Sequence, residues 1–151
     1  MEQKDLTCGI TANVSPSKAY ECIGRVTEWW TPNLEGGTKN LQDTFTVHFG
    51  EIFMTMKVVE AEAGKKIRWQ VVDCDIVGPK DRKEWKDTTI TWDISADDSS
   101  TRITLTHVGM VPAKECYKDT VGGWDYFMQK SLLPFMNEGK GLSEKPETAR
   151  M

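Results

Sequence analysis

The sequence lacks any apolar run that approaches the ~20 residues needed for a membrane-spanning helix. Residues 1–5 are polar and do not supply the apolar centre of an export signal. Basic residues are also outnumbered, with 19 against 23 acidic ones and a net charge of −4. These shortages argue against membrane insertion and against binding to nucleic-acid phosphates, and they favour a cytoplasmic protein.

Potential metal ligands are few. The only histidines are His48 and His107, and four cysteines are spread along the chain: Cys8, Cys22, Cys74 and Cys116. No two cysteines have the Cys-x-x-Cys spacing, and without an export signal an even count does not imply disulfides. Glycine-rich nucleotide motifs, Gly-x-Ser-x-Gly and His-Glu-x-x-His are absent as well. We therefore expect reduced structural thiols, no metal and no cofactor.

Tryptophan, by contrast, is abundant. The chain has six: Trp29, Trp30, Trp69, Trp85, Trp92 and Trp124. An indole ring is large and carries one N–H group that needs an acceptor when it is buried. The six rings predict either a core filled by large side chains or an aromatic-lined cavity. The adjacent Trp29 and Trp30 are not expected to share one buried helical face.

Alternating hydrophobicity predicts a mostly antiparallel β protein. A first strand covers residues 6–14, and later strands include residues 44–49, 52–58, 67–73, 88–95 and 101–109. Ser15 and Pro16 form a helix-start signal, and Gly24 interrupts the pattern that follows, so two short helices are predicted after the first strand. Residues 35–37 predict a turn. Residues 75–86 predict a long loop, whose Trp85 is either solvated or closes a pocket as a lid.

A long C-terminal helix is predicted from about Gly122 to Glu138. The two glycines before Trp124 indicate a helix start packed closely against neighbouring backbone. Pro134 removes a helical hydrogen bond and predicts a kink or split, and Gly139 is a C-cap. Residues 142–151 predict a flexible tail, which leaves residues 1–141 as a single domain. The predicted fold class is α+β, with a curved antiparallel sheet of six or seven strands wrapped around this helix.

The order of short motifs resembles a known family. The motifs are Ser15-Pro16, Glu28-Trp29-Trp30-Thr31, Phe49-Gly50-Glu51, Ile67-Arg68-Trp69, Thr104-Leu105-Thr106-His107-Val108-Gly109, Gly123-Trp124, Ser131-Leu132 and Glu138-Gly139-Lys140-Gly141. In this order they resemble the START-related SRPBCC superfamily, and within it the group named after the activator of heat-shock-protein ATPase. The resemblance spans residues 6–141 and implies a helix-grip fold with a hydrophobic cavity between sheet and helix. It implies no reaction, because members range from lipid carriers through polyketide cyclases to co-chaperone domains.

Strand and helix parity predict which side chains face that cavity. The candidate ligand-binding residues are Trp30, Phe45, Val47, Met54, Met56, Trp69, Val71, Trp92, His107, Trp124, Phe127 and Met128. His107 and Asp73 share inward parity with their apolar neighbours, so a carboxylate could orient an imidazole for proton transfer. The alternative is that His107 donates one structural hydrogen bond and does nothing more. His48 has the opposite parity and is expected to face solvent.

Three functions are compatible with this sequence. The first is non-catalytic binding of a small hydrophobic or aromatic molecule in the internal cavity. The second is an enzyme of cyclase or hydrolase type that uses His107 there. The third is a co-chaperone-like interaction module, for which the sequence shows no charged docking surface. The identity of the ligand and the oligomeric state do not follow from the sequence.

Overall fold

A seven-stranded antiparallel sheet is the framework of the fold. The computed structural model describes residues 5–31, 33–49, 51–75, 83–114 and 116–141. Within these ranges the strands are β1 (Leu6–Ala12), β2 (Leu34–Gly36), β3 (Thr44–Phe49), β4 (Ile52–Glu62), β5 (Lys66–Asp75), β6 (Thr89–Asp97) and β7 (Ser100–Val108). Their order across the sheet is β1-β7-β6-β5-β4-β3-β2. The curved sheet faces a long C-terminal helix, which confirms the α+β helix-grip fold.

Two short helices follow the first strand, as predicted. They are α1 (Pro16–Gly24) and α2 (Val26–Trp29). The Ser15 side chain caps α1 by accepting a hydrogen bond from the Lys18 backbone N–H at 3.1 Å. The chain turns out of helical geometry at Arg25, whose ψ is 60°. The interruption at Gly24 is therefore where the sequence predicted it.

The C-terminal helix begins earlier than predicted. It consists of α3 (Tyr117–Phe127), a π-helical turn (Met128–Leu132) and α4 (Leu133–Glu138). Gly122 and Gly123 consequently lie inside α3, and a methyl group added at either would meet no atom within 4 Å. The expectation that they allow a close backbone approach was wrong. Burial of Thr120 and Trp124 on one helical face extends the helix across both glycines despite their low propensity.

Pro134 splits the helix in the way that its chemistry requires. Because proline has no N–H group, the regular hydrogen-bond ladder cannot continue through it. The Leu133 N–H group instead bonds to the carbonyl of Met128, five residues earlier, and α4 restarts with Pro134 in its first turn. Gly139 ends α4 in a left-handed conformation with φ of 79°, and its N–H donates to Phe135 O at 2.8 Å.

Two bulges interrupt the pairing of β4 and β5. Thr55 pairs with Asp73 and Met56 pairs with Val71, so Val72 is an extra residue in β5. Beyond this bulge the inward position falls on Cys74, which is fully buried, and Asp73 lies on the outer face. The inward parity expected for Asp73 was therefore wrong, because the bulge shifts the alternation by one residue.

The inner face of the sheet carries the core. Alternate residues of the strands point inward and are buried: Phe45, Val47, Met54, Met56, Val58, Ile67, Trp69, Val71, Ile90, Trp92, Ile94, Ile103, Leu105 and His107. Glu35 and Gly36, predicted as part of a turn, instead contribute to β2, where they pair with Thr46 and Phe45. None of the helices in the described ranges has the length and apolar content needed to cross a membrane. Predictions on residues 32, 50, 76–82 and 142–151 lie outside the described residues.

The glycines inside α3 provide a direct test of where this helix begins. Gly122→Ala should raise the free energy of unfolding by about 0.5–1 kcal/mol, because alanine loses less backbone entropy and the added methyl has free space. Chemical denaturation of the purified variant measures the change. The control is Gly139→Ala, which should lower stability by about 1 kcal/mol because an alanine there is forced into a left-handed conformation. A destabilising Gly122→Ala would contradict the position of Gly122 in the interior of α3.

Candidate functional site

All six tryptophans lie in the interior between the sheet and the C-terminal helix. Their exposed fractions range from 0% to 7%. Ring contacts connect them: Trp69 and Trp92 have centroids 5.4 Å apart, and Trp92 and Trp124 are 6.0 Å apart. Trp85 stacks on Trp124 with a centroid distance of 5.9 Å. The described interior is therefore occupied by a continuous aromatic cluster.

Trp30 is the centre of this cluster. Its ring stacks on Trp29 at 5.6 Å and on Trp69 at 6.1 Å, and it lies 5.1 Å from Trp124. Trp29 and Trp30 are both buried without sharing one helical face. Trp30 is the cap residue that follows α2, with φ of −106° and ψ of −68°, so its ring need not follow helical spacing. The two neighbouring rings can consequently stack in parallel.

The residues predicted to line a cavity are brought together on this inner face. The twelve are Trp30, Phe45, Val47, Met54, Met56, Trp69, Val71, Trp92, His107, Trp124, Phe127 and Met128, and none is more than 7% exposed. Their contact with a ligand stays a prediction. Sequence reasoning missed Phe49, whose ring contacts Trp30 at 5.7 Å and Phe127 at 5.9 Å. The aromatic residue in the predicted strand 44–49 was the available signal.

His107 is the centre of a buried hydrogen-bond network. The Trp124 Nε1–H group donates to His107 Nδ1 at 3.1 Å, and His107 Nε2 lies 2.8 Å from Thr88 Oγ1. The Thr88 hydroxyl itself donates to Trp85 O at 2.5 Å, so it must accept from the imidazole. His107 is therefore a neutral imidazole with its proton on Nε2. Thr88 was not identified from the sequence.

This environment holds His107 in its neutral form. The side chain is fully buried, and burial together with the charge of Lys114 lowers its pKa to about 3. Both ring nitrogens are occupied by hydrogen bonds, and the ring also packs edge-on against Trp85 at 4.6 Å. The imidazole thus ties β7 to β6 and to α3, and it has no free nitrogen for proton transfer.

The expected carboxylate partner of His107 lies elsewhere. Asp73 Oδ1 pairs with Lys83 Nζ at 3.2 Å and accepts from the Cys74 backbone N–H at 2.9 Å. The hydrogen bond from Lys83 is the main reason why the pKa of Asp73 is lowered. The structure does not bring Asp73 and His107 together, because the bulge in β5 turns the carboxylate outward. His48 is half-exposed and lies 3.3 Å from Glu35, on the outer side as predicted.

Five of the six buried indole N–H groups fall into two classes. Trp29, Trp85 and Trp124 donate hydrogen bonds to Ile23 O, Thr120 Oγ1 and His107 Nδ1, at 3.1, 3.2 and 3.1 Å. The Nε1 atoms of Trp69 and Trp92 are buried without any hydrogen-bond partner among the described residues. Both rings are 0% exposed, so solvent does not reach them. Two strong donors therefore remain unsatisfied in the interior.

Reactive groups are otherwise scarce in the described part of the chain. No cluster of three or more potential metal-ligating side chains occurs there. None of the four cysteines forms a disulfide within the described residues, and burial raises the pKa of Cys116 to about 11, so it is protonated at neutral pH. The chemistry of the interior is that of aromatic surfaces and hydrogen-bond donors.

Comparison with known proteins identifies the fold. No protein-family profile matches the sequence, and no curated protein matches it significantly. Among solved structures, the Aha1 dimer from Colwellia psychrerythraea, determined in solution, has 21% identity and a TM-score of 0.76, over 91% of this chain and 98% of that one. CalU16 from Micromonospora echinospora has 12% identity and a TM-score of 0.66, over 89% and 76% of the two chains.

A third similar structure is DynU16, a protein in the dynemicin biosynthetic locus, with 17% identity and a TM-score of 0.69. The likeness covers 99% of this chain but only 51% of DynU16, so the chain spans about half the length of that protein. The chain shares the helix-grip fold of these structures. It resembles Aha1, as the sequence motifs indicated. At these identities the likeness defines the architecture and leaves the function to the site itself.

Trp124 is expected to be a principal anchor of the helix-grip fold. Trp124→Ala should lower the free energy of unfolding by roughly 3–5 kcal/mol, the usual cost of deleting a large buried ring. It also leaves His107 Nδ1 without its donor. Denaturant melts of variant and parent measure the loss. A loss below roughly 1 kcal/mol would mean that the ring is not an anchor.

Stability should depend on pH through His107. Its pKa is about 3 in the folded protein against 6.5 for the free group, so the unfolded chain binds the extra proton between these values. The contribution of the neutral His107 to folding stability is complete above pH 6.5 and is lost as the pH falls from 6.5 toward 3. Between pH 7 and pH 5 the parent protein should therefore lose about 2 kcal/mol more free energy of unfolding than the His107→Gln variant. Denaturation of both proteins at each pH measures this. Equal pH dependence in the two proteins would refute the buried neutral imidazole.

Proposed function

We propose that this protein binds a small apolar or aromatic molecule, without transforming it, in the aromatic interior between the sheet and the C-terminal helix. One observation carries the proposal: Trp69 and Trp92 bury two indole N–H groups that have no acceptor among the described residues. Leaving a buried donor unsatisfied costs about 1–3 kcal/mol. A ligand with one or more acceptor oxygens would remove that cost, so its chemistry is aromatic or alicyclic with carbonyl, ether or hydroxyl groups.

The surroundings of these donors suit a ligand of variable shape. Met54, Met56 and Met128 are buried beside the rings, and methionine adapts to different surfaces because it is unbranched and polarisable. Met128 also begins the π-helical turn, where the regular helical hydrogen bonding is interrupted. A helix that departs from regular geometry over the cluster is more easily deformed than a continuous one.

Entry to the interior would pass between Phe49 and Phe127. Phe49 ends β3 and is only partly buried, and Phe127 is the last residue of α3 before the π-helical turn. Their rings are 5.9 Å apart, and Phe49 also contacts Trp30. Rotation of these two rings would open a path to Trp30 and then to Trp69, because the rings of Trp30 and Trp69 are stacked.

The two alternatives have less support. An enzyme built on His107 would need a free ring nitrogen, and both nitrogens hold hydrogen bonds. A chaperone-binding module has no observation of its own in the described residues. Four cysteines without a disulfide among the described residues fit a reducing compartment, and we propose a cytoplasmic location for the binder.

Removing one donor at a time tests the proposal. Trp69→Phe and Trp92→Phe should each weaken binding of an oxygen-bearing aromatic probe by about two- to tenfold, the value of one hydrogen bond. Displacement of a fluorescent apolar probe measures the affinity, and native mass spectrometry of the purified protein identifies any retained molecule. Trp29→Phe is the matched control, because it deletes the same ring volume but a satisfied donor.

The Trp29→Phe control distinguishes a loss of probe affinity from a loss of folding stability. Trp29→Phe should cost about 1 kcal/mol more folding free energy than the other two variants, because only it breaks an existing hydrogen bond. It should leave probe affinity within about twofold of the parent, since the unsatisfied donors remain. A native protein that retains no small molecule and binds no apolar probe would refute the proposed function.

A further inference from the structure

A cavity lies between α1 and the hairpin of β4 and β5. This cavity, the α1 groove, has a volume of about 510 Å³. Its walls are α1 on one side and the connection from β2 to β3 on the other, and its floor is the hairpin of β4 and β5. The volume falls within the range of about 300–1,000 Å³ that is usual for small-molecule sites.

The rim of the α1 groove is positively charged. Lys18 on α1, Arg25 at the C-terminal cap of α1 and Lys39 in the β2–β3 connection all line the groove. All three are exposed, and none makes an ion pair with another described residue. Glu21 is the one acidic residue among the lining side chains, so the lining carries three positive charges and one negative charge. This local excess of positive charge contrasts with the net charge of −4 for the whole chain.

The floor of the groove is apolar. Val58 from β4 and Ile67 from β5 are 1% and 5% exposed, and Ala61 beside them is half-buried. Cys22 contributes a buried thiol from α1. A ligand seated here would therefore contact hydrocarbon below and cations above.

The walls are held in place by a specific hydrogen bond. The Thr38 hydroxyl donates to the carbonyl of Gly24 at 2.7 Å, which ties the β2–β3 connection to the end of α1. Lys39 follows Thr38 directly, so this bond positions its backbone across the groove from Lys18 and Arg25. The cationic rim is thus built on a fixed scaffold rather than on a free loop.

We infer that the α1 groove binds a small amphipathic anion. The carboxylate, phosphate or sulfonate head lies between Lys18, Arg25 and Lys39, and the apolar body lies on Val58 and Ile67. Cations exposed to solvent attract an anion at a range of about 10 Å at moderate ionic strength, so binding is reversible and sensitive to salt. None of the six tryptophans lines this site, and the inference does not rest on the proposed function.

Dodecanoate and dodecanol are the probes that test the inference, because they share a chain and differ in the head group. Isotope-labelled protein is titrated with each in low salt, and amide chemical shifts are followed by NMR. Dodecanoate should bind about tenfold more tightly than dodecanol and shift the amides of Lys18 to Arg25, of Thr38 and Lys39, and of the β4–β5 hairpin. Added salt should weaken dodecanoate binding and leave dodecanol unchanged.

Variants that each remove one positive charge locate the carboxylate of bound dodecanoate. Arg25→Gln and Lys39→Gln should each weaken dodecanoate binding by about two- to fivefold, because each removes one exposed cation. Lys118→Gln is the matched control, since Lys118 is an exposed lysine of α3 outside the groove, and it should have no effect. Ala61→Phe should block binding by filling the floor, and the spectrum itself reports whether that variant folds.

Four results would overturn the inference. They are equal affinity for dodecanol, shifts around Trp69 and Trp92 without shifts at residues 18–25 and 38–39, equal losses with Lys118→Gln, and binding to anionic vesicles without binding to free dodecanoate. The second would instead place the probe in the aromatic interior. Failure of the groove and failure of the interior site are therefore distinguishable in the same spectra.

Discussion

The contacts of Trp124 hold the sheet against the C-terminal helix. Its indole N–H group donates to His107 on β7, and its ring contacts Trp30 after α2, Trp85 before β6 and Trp92 within β6. One side chain on α3 therefore joins four separate parts of the chain. Because each contact needs the others in place, the interior is assembled cooperatively around this ring.

Some polar groups inside the aromatic cluster have hydrogen-bond partners, and others have none among the described residues. The network of His107, Thr88 and Trp85 satisfies every one of its ring and hydroxyl groups, which stabilises a single arrangement of β6, β7 and α3. Trp69 and Trp92 on the neighbouring strands leave their N–H groups without acceptors among the described residues. The satisfied network serves the fold, and the unsatisfied pair is the part of the interior that a ligand would complete.

The two proposed sites differ in physical character. The aromatic interior offers stacking surfaces and two neutral donors in a dry environment, where each hydrogen bond is strong and selective. The α1 groove offers three exposed cations over an apolar floor, where attraction is long-ranged and weakened by salt. The lining of the groove includes none of the six tryptophans, although Val58 and Ile67 of its floor pair with Trp69 and Trp92 across the sheet.

Local pattern in the sequence determined the element order, the inward parity of residues such as Trp92 and Leu105, the Ser15 cap and the break near Pro134. These depend on side-chain alternation and on the backbone limits of proline and serine, which act over a few residues. Only the tertiary structure decided that Asp73 faces outward, because a bulge depends on the pairing of β5 with β4. The hydrogen-bond acceptors of the Trp85 and Trp124 indole N–H groups were likewise undetermined, since they lie on segments distant in sequence that meet only when the chain folds.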